Sequence, residues 1–370
     1  MHQFKKAVYV PGALTLMASG LAFGQTSPGA DPAAQPVGEP PPVQEVQPEV
    51  PGIPDIGGVL TPRGRLVLEP ELQYSHTSVN RLTFRGVEIL ETLAIGALFA
   101  EDADRDTWTA AVTARYGATD RLELEMKVPY VYRRDKFRAA GASPIGPQGE
   151  LERKLTGDGL GDIELAAHYQ LNRGRGNAPF FIGNLRYKST TGDGPFDIRR
   201  TEDGLERELA TGSGFHSIEP SLTVLFPSDP AVYFANIGYL HNFKESVNQR
   251  VAGSGQEDND DFDFTISEVD PGDAVRVSFG MAYSINPRSS FTLGYKNDFI
   301  DRTKTTFVDA DTGVESQERS STLNVGSMLL GWSYQLDQDV AINLGLEFGV
   351  TDDAPDMALT FRIPFGMNVF

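Results

Sequence analysis

From residue 64 onward, apolar and polar positions alternate with a period of two, as in strands whose two faces meet different surroundings. Within residues 121–132, Leu122, Leu124, Met126, Val128, Tyr130 and Tyr132 share one face, while Arg121, Glu123, Glu125 and Lys127 share the other. Val275, Val277, Phe279, Met281, Tyr283 and Ile285 alternate with Arg276, Ser278, Gly280, Ala282 and Ser284. Val340, Ile342, Leu344, Leu346 and Phe348 alternate with Ala341, Asn343, Gly345 and Glu347. Segments of about ten residues, apolar outward and small or polar inward, mark a transmembrane β-barrel with a wet lumen. A soluble sandwich shows such alternation in a strand or two rather than throughout.

The connections set the strand number. Short turns are expected at residues 117–120, 172–177, 227–230, 286–289 and 336–339, where Gly, Asn, Asp, Ser and Pro cluster. Between them lie long polar stretches near 78–104, 134–158, 191–212, 244–271 and 304–319, and a small one at 351–355. Bacterial barrels keep short turns in the periplasm and long loops outside. The alternation therefore predicts an all-β, antiparallel up-and-down barrel of twelve strands with both termini periplasmic. Residues 82–99 are apolar enough for a further strand but would spoil the parity, so they read as an extension of the first hairpin or an inward-folding loop. Two irregularities are expected. The outward phase switches near Ser327, from Leu323 and Val325 to Met328, Leu330, Trp332 and Tyr334, which suggests a bulge. Leu359, Phe361, Ile363, Phe365 and Met367 share a face that excludes the terminal aromatic Phe370, the expected barrel-assembly signal, which implies a slip near residues 364–367.

The start of the chain reads differently. Lys5 and Lys6 precede a mostly apolar stretch at 7–21, and Ala22-Phe23-Gly24 offers small residues at −3 and −1, so residues 1–24 read as a cleaved signal peptide. Residues 25–57, rich in Pro, Gln, Glu and Gly, read as a disordered periplasmic linker. The competing reading is a segment that threads into or regulates a pore. Residues 58–370 form the barrel. Localisation in the outer membrane of a Gram-negative cell follows, with membrane lipid, lipopolysaccharide and the barrel-assembly machinery as partners.

Composition narrows the function. With no Cys there is no disulfide, thiolate metal site or cysteine nucleophile. Without Lys5 and Lys6 the basic residues fall from 32 to 30 against 51 acidic ones, a charge of −21, which repels nucleic acid. No cofactor-binding motif or metal-ligand spacing stands out, and the acidic loop at 254–273 reads as a solvated outer loop. A Ser–His dyad of the kind used by barrel phospholipases is not offered by His216 and Ser217, whose adjacency puts them on opposite faces of a strand. The chain reads as a non-enzyme.

By phase, the charges on the polar face are Arg115, Glu123, Glu125, Lys127, Asp162, Glu164, His168, Arg186, Lys188, Glu219, Arg276, Lys296, Asp298, Glu347 and Arg362. Partly buried charges need partners, so these are expected to form a cross-strand ladder and to double as a constriction that tunes permeation.

Gly157-Asp158-Gly159-Leu160-Gly161-Asp162-Ile163-Glu164-Leu165, followed by Tyr169-Gln170-Leu171, resembles the Gly-rich strand motif of the meta-pathway phenol-degradation-like family of outer-membrane transporters. The stretch from Arg115-Tyr116-Gly117 through Val128-Pro129-Tyr130-Val131 is similar to another part of it. Residues 57–70, 211–222 (TGSGFHSIEPSL) and 227–232 (PSDPAV) resemble functional-amyloid (Fap) secretion pores within that family. The resemblance implies a pore for small aromatic or hydrophobic compounds, or alternatively a secretion pore for amyloid subunits with a secreted polypeptide as partner. A structural, adhesive or phospholipase-like barrel is the remaining alternative.

Overall fold

The computed structural model describes residues 60–79, 83–84, 87–88, 100–140, 150–173, 178–199, 207–253, 262–309 and 312–369. The signal peptide, the linker, Phe370 and residues 254–261 of the acidic loop lie outside them. The chain divides into two units, 1–46 and 47–370, and every described residue belongs to the second.

Twelve antiparallel strands close into a barrel: β1 (Arg65–Val79), β2 (Ala100–Thr119), β3 (Leu122–Ala140), β4 (Glu150–Leu160 continued by Glu164–Gln170), β5 (Phe180–Lys188), β6 (Ser217–Ser228), β7 (Ala231–Asn242), β8 (Ala274–Asn286), β9 (Ser289–Ile300), β10 (Leu323–Gln335), β11 (Ala341–Gly349) and β12 (Met357–Arg362 continued by Phe365–Asn368). Each pairs with its sequence neighbour, and β12 closes the ring on β1. The expected strand number holds. The first turn sits at residues 120–121, overlapping the end of the expected 117–120. The alternation has the expected sense. Ile237, Phe279 and Phe299 are each more than half exposed on the outer wall, with Leu72, Trp108, Val112, Leu124 and Met126. At ~25 cal/mol per Å² of apolar surface, only a bilayer makes such a wall favourable.

Neither expected irregularity occurs. Pairing of β9 with β10 runs unbroken from Ser289↔Tyr334 to Ile300↔Leu323. Leu323 and Val325 instead face inward, where Leu323 packs with Ala274, Ile300 and Leu240. An apolar cluster on the inner wall thus mimics a phase switch. On β12, one register with β1 runs from Arg65↔Asn368 through Leu68↔Phe365 and Glu71↔Arg362 to His76↔Met357. Pro364 removes a ladder donor and interrupts the strand, but it inserts no residue.

The expected outer loops are largely strands. β3 and β4 stay paired out to Ala140↔Glu150, and β1 with β2 to Val79↔Ala103. Residues Glu245–Gly253, Phe262–Asp270, Lys304–Asp309 and Glu315–Arg319 form a separate four-stranded sheet. Beyond the membrane a strand needs no apolar face toward lipid, so the hydropathy pattern that marks spanning strands fades there. Of residues 82–99, Thr83–Phe84 and Val87–Glu88 pair as a small hairpin, and the rest lie outside the described residues.

Candidate functional site

All fifteen charges expected on the polar face take partners across the inner wall, so the geometry joins them into groups. Arg115 donates to Glu69 and Glu125, both at 2.9 Å, and Lys127 reaches Glu71 at 3.1 Å. Arg362 of β12 pairs with Glu71 and Glu69 across the closure seam. His168 stands 3.8 Å from Glu125, and Glu123 accepts the Thr61 N–H at 2.6 Å. Further round, Arg186 pairs with Glu164, Lys188 with Asp162, Arg276 with Glu219 and Asp298, and Lys296 with Glu347. Opposite charges on neighbouring strands face one another within each group, as buried ions require. Glu69 and Glu71 are nearly fully buried and belong to this ladder, although sequence reasoning passes over them. The signal is present: both alternate with Leu68, Pro70 and Leu72 in β1.

A second inner surface lies near the short turns. Ile182, Leu225 and Phe234, from β5, β6 and β7, face inward together with Phe180 and Val232. Leu60, just before β1, seats among them and is only 6% exposed. Its neighbours are held to another part of the wall, for Thr61 bonds Glu123 of β3 and Gly64 donates to the Gly117 carbonyl of β2. Residues 60–63 therefore form a strap at the short-turn end of the lumen, joining β5–β7 to β2 and β3. The linker and threading readings both concern residues 25–57, which lie outside the described residues.

The Gly-rich motif gains a physical reason. Gly157 and Gly159 of β4 pair with Arg133 and Val131 of β3, and the Gly161 N–H donates to the Pro129 carbonyl, so the three line the inner wall. The segment between β5 and β6 lies directly on them. A Cβ at Gly157 would stand 2.1 Å from the Leu209 carbonyl oxygen, so only glycine lets the loop approach. Thr211 Oγ1 donates to the Leu160 carbonyl and Thr191 Oγ1 to that of Gly161. Within the loop, Gly192 and Gly194 press against Gly212 and Gly214. Asp162 fastens the far side, accepting from the Ser213 N–H at 2.8 Å, Ser213 Oγ at 2.7 Å and the Gly192 N–H at 3.2 Å. Phe215 and Phe196 then pack under the outer sheet against Ile266, Val269, Val247 and Phe307. The loop is thus clamped between the barrel's inner wall and its roof.

His216 bonds Tyr187 at 2.8 Å on the exposed outer face, whereas Ser217 is buried and pairs with Lys188 in the β5–β6 ladder. The two do not meet.

No family model matches the chain. In fold it is similar to an outer membrane channel from Pseudomonas putida F1, at 14% identity, covering 83% of this chain and 97% of that one with a TM-score of 0.51. More remote are the translocator domain of autotransporter NalP from Neisseria meningitidis (9% identity, 83% and 88% covered, TM-score 0.45) and the toluene transporter TodX of P. putida (12%, 84% and 90%, 0.37). At such identities a likeness speaks to fold alone. The chain is a transmembrane barrel of the outer-membrane kind.

Proposed function

We propose that the protein is an outer-membrane pore passing small hydrophobic or aromatic compounds, with its fifteen inward charges forming a mixed-charge constriction. One observation carries the reading: a lumen lined by many charges holds an apolar seat of Ile182, Leu225 and Phe234, occupied by the chain's own Leu60. A seat filled by a removable side chain suits a small apolar solute in its place, since concave apolar sites with few polar groups are the usual form of such binding sites. The constriction mixes signs, so ion selectivity is weak. The loop at 189–216 narrows the path above the seat.

A second cargo, an extended polypeptide such as an amyloid subunit, is favoured by the strap itself, which is extended chain already lying in the lumen. For such a cargo, strap and loop would both have to leave.

The test is planar-bilayer conductance and vesicle uptake of a monoaromatic probe by the refolded protein, intact and with Leu60→Asp. The expected result is low permeability in the intact chain and a severalfold rise in the variant, larger for the aromatic than for a sugar of similar size. A barrel impermeable in both forms overturns the pore reading. A rise without preference for the aromatic overturns the substrate class.

A further inference from the structure

One cluster on the inner wall holds more carboxylates than permanent cations. Around β1–β4 and the seam stand four carboxylates, Glu69, Glu71, Glu123 and Glu125, but three permanent cations, Arg115, Lys127 and Arg362. The geometry shows where the surplus negative charge resides. Arg115 bridges Glu69 and Glu125, and Lys127 and Arg362 share Glu71. Glu123 is left with no ion pair among the described residues, although it is only 4% exposed and its hydrogen bond comes from the neutral Thr61 amide. A carboxylate buried in that condition is costly and calls for a cation.

His168 is oriented toward the same place. Its Nδ1 lies 2.8 Å from Asn184 Oδ1, and the Asn184 amide nitrogen is turned to Ser221 Oγ and Thr223 Oγ1 at 3.1 and 3.0 Å. That network makes Asn184 Oδ1 the acceptor and Nδ1–H the donor. Nε2 is then the nitrogen that faces Glu125, and a partner fixed on one ring nitrogen is the arrangement that prepares the other as a ligand once it is deprotonated. One ligand atom each from Glu123, Glu125 and His168 lie within 4.8 Å of one another. Metal–ligand bonds of about 2.0–2.2 Å set tetrahedral ligand atoms roughly 3.4 Å apart, so the trio would close by up to about 1.4 Å around an ion.

We propose that Glu123, Glu125 and His168 bind a divalent transition-metal ion of the zinc class on the inner wall at the short-turn end. One imidazole and two carboxylates suit zinc, cobalt or nickel, whereas calcium and magnesium take oxygen ligands alone. Three protein ligands leave a position open to water. Glu123 is also the residue that holds Thr61, so the ion and the strap draw on one carboxylate. Metal occupancy thereby loosens the strap. The site stands on its residues and does not depend on what the barrel transports.

The experiment titrates zinc chloride into the refolded full chain in detergent, by calorimetry, and records cobalt absorption spectra on the same protein. Wild type is expected to take one ion per barrel, with cobalt d–d bands of a low-coordinate site containing nitrogen. Glu123→Gln and His168→Gln weaken binding at least tenfold, and His241→Gln on the outer rim leaves it unchanged. Heat-modifiable gel mobility establishes that each variant is folded. No zinc uptake up to about 1 mM, or equal affinity in folded His168→Gln, overturns the site. If both substitutions prevent folding, the wild-type cobalt spectrum decides: weak bands of an all-oxygen octahedral ion overturn it as well.

Discussion

Arg105 grips the carboxylate of Asp135 through both Nε and Nη2, at 3.0 and 2.7 Å, at a point where Asp135 has no solvent exposure at all. Arg133 stands 3.5 Å from the same carboxylate and donates from Nη1 to the Ala210 carbonyl of the inner loop. One acid thus serves two arginines, and one of them also ties down the loop. Removing a single partner from such a group leaves buried charge uncompensated, a cost of ~3–5 kcal/mol. Asp135→Ala should lower the stability of the refolded barrel by that order in urea unfolding in lipid vesicles. A loss below ~1 kcal/mol would mean that water reaches the site and screens it.

Gly157 and Gly159 face the same loop at different clearances, which separates close approach from general strand preference. Gly157→Ala places its methyl against the Leu209 carbonyl, whereas at Gly159 the nearest atom to an added Cβ is Thr211 Oγ1 at 3.5 Å. Gly157→Ala should free the 189–216 loop, seen as faster proteolysis there, and Gly159→Ala should not. Equal behaviour of the two variants contradicts the seat.

The chain has no cysteine, so a single thiol reports on the strap without background. In Leu60→Cys the residue remains in a lumenal pocket bordered by Ile182, Leu225 and Phe234. Its labelling by a bulky hydrophilic maleimide should be at least tenfold slower than that of Gln338→Cys in an exposed turn. Comparable rates would show the strap out of its seat. Adding Glu123→Gln to the Leu60→Cys variant should speed labelling of the strap thiol, because the Thr61 N–H then loses a charged acceptor.

Outside the membrane, Glu208 gives a pH marker for the loop. The Arg199 guanidinium donates to both its oxygens and the Arg199 amide adds a third bond, holding the carboxyl at about 2, well below the ordinary 4.5. A carboxyl with a depressed value contributes its stabilisation fully above the unfolded value and loses it as pH falls toward the folded one. The pair therefore stays intact from neutral pH to about 4.5, weakens below that, and is gone once pH falls through about 2. Carboxyl NMR of labelled glutamate should place the midpoint near 2 at low salt, moving upward in concentrated salt because the pair is exposed. A midpoint at 4.5 in both would show that the pair does not form.

The sequence makes the barrel legible because a spanning strand must satisfy lipid on one side and water on the other, and that demand repeats every second residue. Arg115, Glu125 and the other inward charges can be assigned by phase for the same reason. Legibility ends where one of these constraints is relaxed. Leu323 and Val325 are apolar yet face inward, so phase alone places them on the wrong side. The outer sheet meets no lipid, and its strands read as loops. Leu60 lies at the end of a segment too sparse in apolar residues to signal a contact, and its partners Ile182, Leu225 and Phe234 come from three distant strands. The glycines of β4 are visible as a motif, but what they accommodate needs the position of Leu209 and Thr211.

The strap differs from the wall in how it is fastened. Each strand is held along its length by a ladder of backbone bonds, whereas residues 60–62 are fastened by one apolar side chain, the Thr61–Glu123 bond and a single backbone bond from Arg65 to the Pro62 carbonyl. Everything N-terminal to Leu60 is joined covalently to that weak point. A pull on the preceding chain therefore bears first on the Leu60 seat, and the seat yields under a tension that leaves the barrel closed. The molecule carries a mechanical fuse at the short-turn end of its barrel, addressable by whatever takes hold of the chain before it.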